Sequence, residues 1–350
     1  HAISTERTAM SNSEKSPLLQ VKGLSVHFKP KRGGQIIRAV DGVDLEVHEG
    51  ETLCLVGESG SGKTTLVQAF GHLVSIASGT VSFGDVDVAS LRGSKLRAHR
   101  RDVQYVFQDP FQSFNPRHSV WDIVSEPIKV HRLTDSREEL EIRVFEALDE
   151  CGLRPADEFA RLFPHQLSGG QRQRVAIASA IVLRPQLLIA DEAVSMLDVS
   201  VRSDILKLFL RLKTNHNMTL VFVTHDLSVA WEIADRIFVM YLGKIMEGGS
   251  PSQVIGSPAN PYTHALVSAI PVPDPREPVR EVAVKGDIGD TLDNIDGCRF
   301  YPRCPYAIDR CTTGTPPLES LSEGHVNACI RSGQLSLVPP HQFASGRNEI

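Results

Sequence analysis

The 350-residue sequence lacks several features that would place it in particular classes of protein. It has no apolar run approaching the roughly 18–20 residues that a membrane-spanning helix needs. Its polar first 17 residues have no apolar stretch of the kind found in a secretory signal. A net charge of −5 gives no basic footprint for nucleic acid. These absences favour a cytoplasmic protein that reaches a membrane only through a partner, and we expect residues 1–17 to be disordered.

Cysteine is scarce, and the six that occur are unevenly distributed. Cys54 and Cys151 stand alone in apolar segments, which is typical of small core residues. The other four lie close together near the C-terminus in the spacing C-x5-C-x6-C-x17-C: Cys298, Cys304, Cys311 and Cys329. In a cytosolic chain, such a group indicates metal ligands more than disulfides.

The spacing of these four cysteines leaves the kind of metal open. Zinc sites usually begin with a tight C-x2–4-C pair, which is missing here. Pro302 and Pro305 flank Cys304 and favour a loop around a larger object. A [4Fe–4S] cluster, a structural Zn²⁺ ion and free or merely structural cysteines all remain possible.

The remaining composition is ordinary for a globular protein, with 41% hydrophobic and 23% charged residues. Alternating apolar and polar residues over 18–51 predict antiparallel strands. Continuous apolar runs at 187–190 and 220–224 flank a helical pattern at 201–216, which indicates a parallel sheet covered on both faces. We therefore predict an α/β domain over 18–270, with a helical subdomain at about 110–180. A Cys-rich domain over 271–335 and a flexible tail over 336–350 are expected to follow.

The segment 57–64, GESGSGKT, fits the pattern G-x-x-x-x-G-K-[ST] of a phosphate-binding loop. Its glycines allow successive backbone N–H groups to face phosphates, Lys63 reaches the β- and γ-phosphates, and Thr64 offers a hydroxyl to Mg²⁺. An apolar strand is predicted before the loop at 52–56 and a helix after it at 64–72. The predicted ATP-binding residues here are Gly57, Ser59, Gly60, Ser61, Gly62, Lys63, Thr64 and Thr65.

Two further segments have side chains and backbone groups that suit a nucleoside triphosphate. The apolar strand at 187–190 ends in Asp191, which can hold Mg²⁺ through water, and Glu192, which can polarise the water that attacks the γ-phosphate. The pentapeptide LSGGQ at 167–171 opens a basic helix whose free N–H groups and dipole favour a phosphate.

These motifs, in this order, resemble the ATP-binding subunit of an ABC transporter, a P-loop ATPase with a mostly parallel sheet, an antiparallel β-subdomain and a helical subdomain. The resemblance implies a head-to-tail dimer in which each ATP lies between the phosphate loop of one subunit and the LSGGQ segment of the other. It assigns to the partner's ATP the residues Ser168, Gly169, Gly170, Gln171 and Asp198. No internal repeat is present, so one nucleotide-binding unit is expected in each chain.

The same resemblance implies roles for residues that the motifs alone leave undefined. Gln108 matches the glutamine that senses Mg²⁺ and the attacking water, and His225 matches the histidine at the γ-phosphate. Phe28 matches the aromatic residue that stacks on adenine. The implied catalytic set is Glu192, His225, Gln108 and Lys63. The implied Mg²⁺ set is Thr64, Gln108 and Asp191.

The segments 107–116, 164–174, 239–244 and 260–271 resemble the oligopeptide/dipeptide importer ATPases, and among them the F-type subunit. Over residues 18 to 330, this resemblance implies ATP hydrolysis that drives peptide import at the cytoplasmic face of the cell membrane. The implied partners are a distinct second ATPase, two transmembrane permease subunits and, indirectly, an extracytoplasmic substrate-binding protein. A permease helix is expected in a groove lined by residues 111–117. The resemblance also implies a [4Fe–4S] cluster in the tail.

Other functions remain as alternatives. One is a soluble ABC ATPase that acts on ribosomes or DNA, although the basic surface that such partners demand is missing. Another is an importer ATPase for nickel chelates, glutathione or another small solute. An export ATPase is disfavoured by the importer-like tail and the absence of a fused membrane domain.

The sequence departs from the family pattern at four positions: Ser179, Ala193, Met196 and Asn260 replace the usual arginine, proline, alanine and histidine. None of them removes a group that is expected to contact ATP. The changes at 193 and 196 therefore bear on communication across the dimer and leave the predicted hydrolysis in place.

Overall fold

The computed structural model describes residues 16–29, 36–109, 114–270 and 296–337. Most of the predicted disordered segment 1–17 and of the predicted flexible tail 336–350, the start of the predicted tail domain, and residues 111–113 of the predicted groove segment lie outside the described residues. The described strands are β1 (Leu19–Phe28), β2 (Ile37–Val47), β3 (Thr52–Val56), β4 (Ser78–Phe83), β5 (Val86–Asp87), β6 (Val103–Val106), β7 (Leu187–Asp191), β8 (Thr219–Thr224), β9 (Arg236–Tyr241), β10 (Lys244–Gly249), β11 (Glu319–Ser322) and β12 (His325–Asn327). The described helices are α1 (Lys63–Phe70), α2 (Gly93–Asp102), α3 (Val120–His131), α4 (Arg137–Glu150), α5 (Ala156–Arg161), α6 (Gly169–Ile181), α7 (Val199–His216), α8 (Leu227–Ile233), α9 (Pro251–Val254) and α10 (Pro261–Ser268).

The alternating pattern at the start of the chain forms an antiparallel sheet, as predicted. Its strand order is β2-β1-β4-β5, with β1 antiparallel to both β2 and β4. Side chains such as Leu19, Val21 and Val26 face a buried cluster, while Gln20 is half-buried and Lys22 is exposed. Burying one face and solvating the other is what this period-two pattern requires.

A second sheet, of order β11-β12-β10-β9-β3-β8-β7-β6, forms the centre of the molecule. Its strands β9, β3, β8, β7 and β6 are parallel to one another, and every residue of β3, β7 and β8 is buried. Strands covered on both faces read as continuous apolar runs, which is why the sequence predicted them. The carboxyl ends of β3, β6, β7 and β8 lie at one edge, where the phosphate loop, Gln108, Glu192 and His225 follow.

Helices α3, α4, α5 and α6 pack on one another and form the helical subdomain. Two of them begin with reciprocal caps. Ser119 and Asp122 cap α3, and Ser168 and Gln171 cap α6, each side chain bonding the other residue's backbone N–H. The apolar faces of these helices join the same core cluster as β7 and β8, so the subdomain is held to the central sheet by packing.

The described part of the tail extends the central sheet, because β12 pairs antiparallel with β10. A buried polar network fixes this junction. The carboxylate of Glu247, which has no solvent exposure, lies 2.8 Å from the His325 Nε2 and accepts the Asn260 backbone N–H at 3.1 Å. The Asn260 amide in turn donates to Asn327 at 2.8 Å. The structure therefore does not confirm a tail domain with a core of its own, and the boundaries at 270 and 335 stay a prediction.

Candidate functional site

The phosphate loop between β3 and α1 has a backbone conformation that favours glycine at three positions. Gly57, Gly60 and Gly62 have φ angles of 149°, 78° and 101°. A Cβ on Gly62 would lie 2.1 Å from the Ala39 carbonyl oxygen, and one on Gly57 would lie 2.1 Å from the Met240 carbonyl oxygen. The glycines of the motif thus permit both the positive φ angles and the close approach of neighbouring backbone.

Lys63 lies at the start of α1 with its side chain folded into the loop. Its Nζ donates to the carbonyl oxygens of Gly57 at 2.7 Å and Glu58 at 2.9 Å. Burial lowers the pKa of Lys63, and the charges of Glu192, Asp191 and Glu58 oppose that shift. The ammonium group is therefore held over the loop, where it can face the β- and γ-phosphates of a nucleotide.

The hydroxyl and carboxylate predicted to hold Mg²⁺ are neighbours. Thr64 Oγ1 donates to Asp191 Oδ1 at 3.2 Å across the gap between α1 and β7. Asp191 is only 6% exposed, and burial raises its pKa. Oxygen ligands of this kind, few in number and next to phosphates, suit Mg²⁺.

Besides Lys63, the residues predicted for hydrolysis are Gln108, Glu192 and His225, and the first and last of these lie next to the Glu192 carboxylate. Gln108 Nε2 donates to Glu192 Oε2 at 2.9 Å, and His225 Nδ1 lies 3.7 Å from Glu192 Oε1. Glu192 has a φ of 50°, a region that non-glycine residues seldom occupy and that is common at functional sites. Its N–H donates to the Val223 carbonyl at 3.0 Å, which ties this turn to β8. The tertiary structure thus brings Gln108, Glu192 and His225 together, and their catalytic roles stay predictions.

A cavity of about 540 Å³ opens over the phosphate loop and extends to Gln108 and Glu192. Its far wall is formed by Ile36, Ile37, Arg38, Ala39, Leu242, Gly243 and Arg299. Among the described residues, those that line it do not include Phe28, which pairs across the sheet with Ile37. Stacking of Phe28 on adenine therefore stays a prediction.

Arg299 also lines this cavity, and sequence analysis did not predict it. Arg299 belongs to the tail, and its Nη2 lies 2.5 Å from Asp41 Oδ2. Burial alone would raise the pKa of Asp41, but the charges of Lys244 and Arg299 outweigh it and lower that pKa. The only signal in the sequence was an arginine beside a cysteine, which points to no particular site.

The segment predicted to contact the partner's ATP lies elsewhere on the surface. Ser168 Oγ accepts the Gln171 N–H at 3.2 Å and Gln171 Oε1 accepts the Ser168 N–H at 2.8 Å. A Cβ on Gly170 would lie 2.7 Å from a methyl of Val201, so glycine lets α6 approach α7. The four residues 168–171 and Asp198 do not line the cavity over the loop, so one chain by itself does not join the two segments.

The four tail cysteines line one small cavity of about 20 Å³, together with Phe300 and Tyr301. Burial raises the pKa of Cys298 to about 12 and that of Cys304 to about 11, and the neighbouring thiols add to both shifts. Across residues 16–29, 36–109, 114–270 and 296–337, no group of three or more His, Cys, Asp or Glu side chains is arranged to hold a metal ion. The structure thus brings the four thiols together and leaves the predicted metal unsupported.

Within the same described ranges, no helix is long and apolar enough to cross a membrane.

Comparisons with known proteins agree with the predicted family. Residues 40–195 match the family described as ABC transporter, and residues 246–311 match the oligopeptide/dipeptide transporter, C-terminal region. The chain is 43% identical to the probable peptide ABC transporter ATP-binding protein y4tS of Sinorhizobium fredii over 317 residues, which cover 89% of each chain. It is 38% identical to the oligopeptide transport ATP-binding protein OppF of Salmonella typhimurium over 327 residues, or 91% of this chain and 97% of that one.

Solved structures confirm the ATPase fold. The ATP-binding cassette MJ0796, in a dimeric post-hydrolysis state bound to ADP and Pi, matches with a TM-score of 0.61 and 32% identity over 67% of this chain and 98% of its own. With the phosphate loop, Asp191, Glu192 and the LSGGQ segment in place, and with relatives similar over nearly their whole length, this chain belongs to the ATP-binding proteins of the oligopeptide/dipeptide type of ABC transporter.

Proposed function

We propose that this chain is the ATP-hydrolysing motor subunit of a peptide importer and works at the cytoplasmic face of the membrane. The observation that carries the proposal is the edge of the central sheet. There Lys63, Thr64, Gln108 and Glu192 line one cavity of nucleotide size, and Asp191 accepts a hydrogen bond from the Thr64 hydroxyl. The match of residues 246–311 to the oligopeptide/dipeptide transporter C-terminal region supports peptides as the cargo.

Within the site, the residues of this chain position ATP and water. The loop N–H groups and Lys63 hold the phosphates, and Thr64 and Asp191 hold Mg²⁺, which when bound neutralises charge on the β- and γ-oxygens. Glu192 accepts a hydrogen bond from the attacking water and draws its proton, with Gln108 and His225 fixing the carboxylate from either side. Catalysis by positioning and charge stabilisation is expected for phosphoryl transfer.

A second ATPase subunit completes each site in this proposal. Residues 168–171 and Asp198 are held by α6 and the turn before α7, and do not line the cavity over this chain's own loop. Beside them, Met196 and Val199 are 66% and 77% exposed, which is unusual for large apolar side chains. We infer that this surface meets the phosphate loop of a partner ATPase and that the partner is a distinct chain.

A separate groove suits a helix of a permease subunit. It has a volume of about 600 Å³, lies between β6 and the helical subdomain, and is lined by Phe107, Phe114, Asn115 and His118 among others. Phe107 and Val130 expose 42% and 52% of their surface there. Phe114 and Asn115 belong to the predicted groove segment 111–117. Ser179 also lines the groove, at the position where the family usually has arginine. An apolar groove rimmed by polar residues accepts an amphipathic helix.

Reconstitution of the chain with its permease subunits, a second ATPase and a binding protein in lipid vesicles tests this function. We expect ATP hydrolysis and ATP-dependent uptake of labelled dipeptides or oligopeptides. Uptake of nickel chelates or glutathione, without uptake of peptides, would show that peptides are not the cargo. Co-purification with ribosomes or DNA, and with no membrane subunits, would contradict the assignment as an importer ATPase.

We also propose that the four tail cysteines hold a [4Fe–4S] cluster. Four thiols that line one otherwise largely apolar cavity are a suitable donor set for such a cluster. Burial and the neighbouring thiols raise the pKa values of Cys298, Cys304 and Cys329, so a cationic centre would be needed to hold these three as thiolates. The role we assign to the cluster is structural.

Iron, sulfide and zinc analysis of protein purified without oxygen tests the cluster. We expect about four irons per chain, with a visible absorbance that is lost in the variant Cys304→Ser/Cys311→Ser and kept in the control Cys151→Ala. Stoichiometric zinc, or no metal with unchanged assembly of the double variant, would contradict the proposal.

A further inference from the structure

Glu58, the second residue of the phosphate loop, is held from two places in the C-terminal part of the chain. Its backbone N–H donates to the Tyr262 hydroxyl at 3.1 Å. Its carboxylate accepts from Arg303 Nη1 at 2.8 Å. Its carbonyl oxygen accepts from Lys63 Nζ at 2.9 Å, inside the loop. The same residue therefore links the tail to the lysine that faces the nucleotide.

The Glu58–Arg303 contact is an ion pair largely shielded from water. The side chains are 23% and 13% exposed. Burial alone would lower the pKa of Arg303, but the hydrogen bonds to Glu58 and to the Tyr241 hydroxyl outweigh it and raise the pKa. Charge-assisted bonds in such surroundings are stronger and shorter than neutral ones, so this contact can fix the loop residue in place.

Arg303 is itself fixed by an aromatic cluster. Its guanidinium lies 5.7 Å from the ring centre of Tyr241 and 5.9 Å from that of Phe300. The rings of Tyr241, Tyr262 and Phe300 are in mutual contact, with centres 4.6 to 5.5 Å apart. All three rings are almost fully buried. The arginine is thus presented to Glu58 by a rigid support and loses little further freedom on pairing.

The turn that carries Arg303 also borders the four-cysteine cavity, through the neighbouring residues Tyr301 and Cys304. Arg303 ends the short 3₁₀ turn Tyr301–Arg303, and Cys304 follows directly, with its N–H donating to the Tyr301 carbonyl at 3.2 Å. Phe300 and Tyr301 line the cavity together with Cys298 and Cys304. A change at the thiols therefore acts on the same turn that carries Arg303.

We propose that Arg303 is a positioning residue for ATP binding, which fixes the phosphate loop through Glu58 and so couples the four-cysteine cavity to the affinity of the nucleotide site. This inference rests on ATP binding as proposed above. A loop that is already fixed binds ATP without first being ordered. When the tail releases Glu58, ordering of the loop has to accompany binding, so the affinity falls while the chemistry at Glu192 is unaffected.

The variant Arg303→Gln of the full chain tests the positioning role. We expect its Kd for MgATP to rise roughly tenfold, and in the reconstituted complex its KM for ATP to rise while kcat at saturating ATP stays within about twofold. Arg303→Lys, which keeps a charge for Glu58, should recover part of the affinity. Arg310→Gln is the control, because Arg310 is an exposed arginine of the same segment.

A double-variant cycle separates this role from loss of structure. Glu58→Gln should weaken MgATP binding as Arg303→Gln does, and the two together should cost no more than one alone. If Arg303→Gln fails to fold, the test rests on Glu58→Gln, because this variant leaves the aromatic cluster unchanged. Wild-type Kd in Glu58→Gln, additive losses, or a fall in kcat with unchanged KM would each overturn the inference.

Coupling to the cysteines is measured by the same binding assay. Cys304→Ser should weaken MgATP binding in the wild-type background and have no further effect in the Arg303→Gln background. Wild-type affinity in Cys304→Ser would overturn the coupling. Failure of the proposed function itself would look different, because the unaltered chain would then not bind ATP at all.

Discussion

The Glu192→Gln variant is expected to bind MgATP normally and to hydrolyse it at least roughly 10²-fold more slowly, since general-base catalysis typically contributes 10²–10⁴-fold. An amide cannot take the proton of the attacking water. It can still accept the Gln108 hydrogen bond, which measures 2.9 Å in the structure, so the local geometry is retained. With turnover blocked and binding intact, ATP should hold two ATPase subunits together in the closed dimer.

Three measurements check this expectation. Equilibrium binding should give a Kd for MgATP close to that of the unaltered chain, and phosphate release should be nearly abolished. Size-exclusion chromatography of the variant with its partner ATPase and ATP should show the dimer. Glu141→Gln, an exposed glutamate of α4, is the matched control. Hydrolysis near the wild-type rate in Glu192→Gln would remove Glu192 as the base.

The second large effect is expected from an added methyl group at Gly62. A Cβ there would meet the Ala39 carbonyl oxygen at 2.1 Å, and backbone of β2 cannot move aside as a flexible side chain could. The loop must therefore shift, and its N–H groups no longer face the phosphates. We expect Gly62→Ala to lower the affinity for MgATP by roughly a hundredfold or more, or about 3 kcal/mol.

Gly60 offers a matched control for Gly62. Its φ is also positive, 78° against 101°, but nothing lies within 4 Å of a Cβ added to it. Gly60→Ala therefore carries only the conformational cost of a left-handed residue, about 1–2 kcal/mol. Isothermal titration with MgATP, alongside thermal unfolding, should separate the two variants. Equal losses in both would mean that φ, and not the close approach to Ala39, makes glycine necessary.

Much of the fold could be predicted from local sequence pattern. The apolar runs at 187–190 and 220–224 became β7 and β8, buried along their whole length. The predicted helix at 201–216 is Val199–His216 in the structure. Within the predicted helical subdomain at about 110–180, α3 and α4 are separate helices because Arg132 adopts a left-handed conformation and Ser136 caps the next helix. Periodicity reports which face is buried, and it reports helix ends less well.

The phosphate loop, the acidic strand end and the LSGGQ cap could be identified from the sequence alone, because each is a short segment whose chemistry depends on adjacent residues. The position of the tail residues follows instead from the three-dimensional packing. Arg299 lines the nucleotide cavity, and Arg303 reaches Glu58 across 245 positions of sequence. The three-dimensional packing also places Ile37, and not its cross-strand neighbour Phe28, on the cavity wall. Such contacts depend on how distant strands pair and pack, and no local pattern of residues encodes the position of a partner so far along the chain.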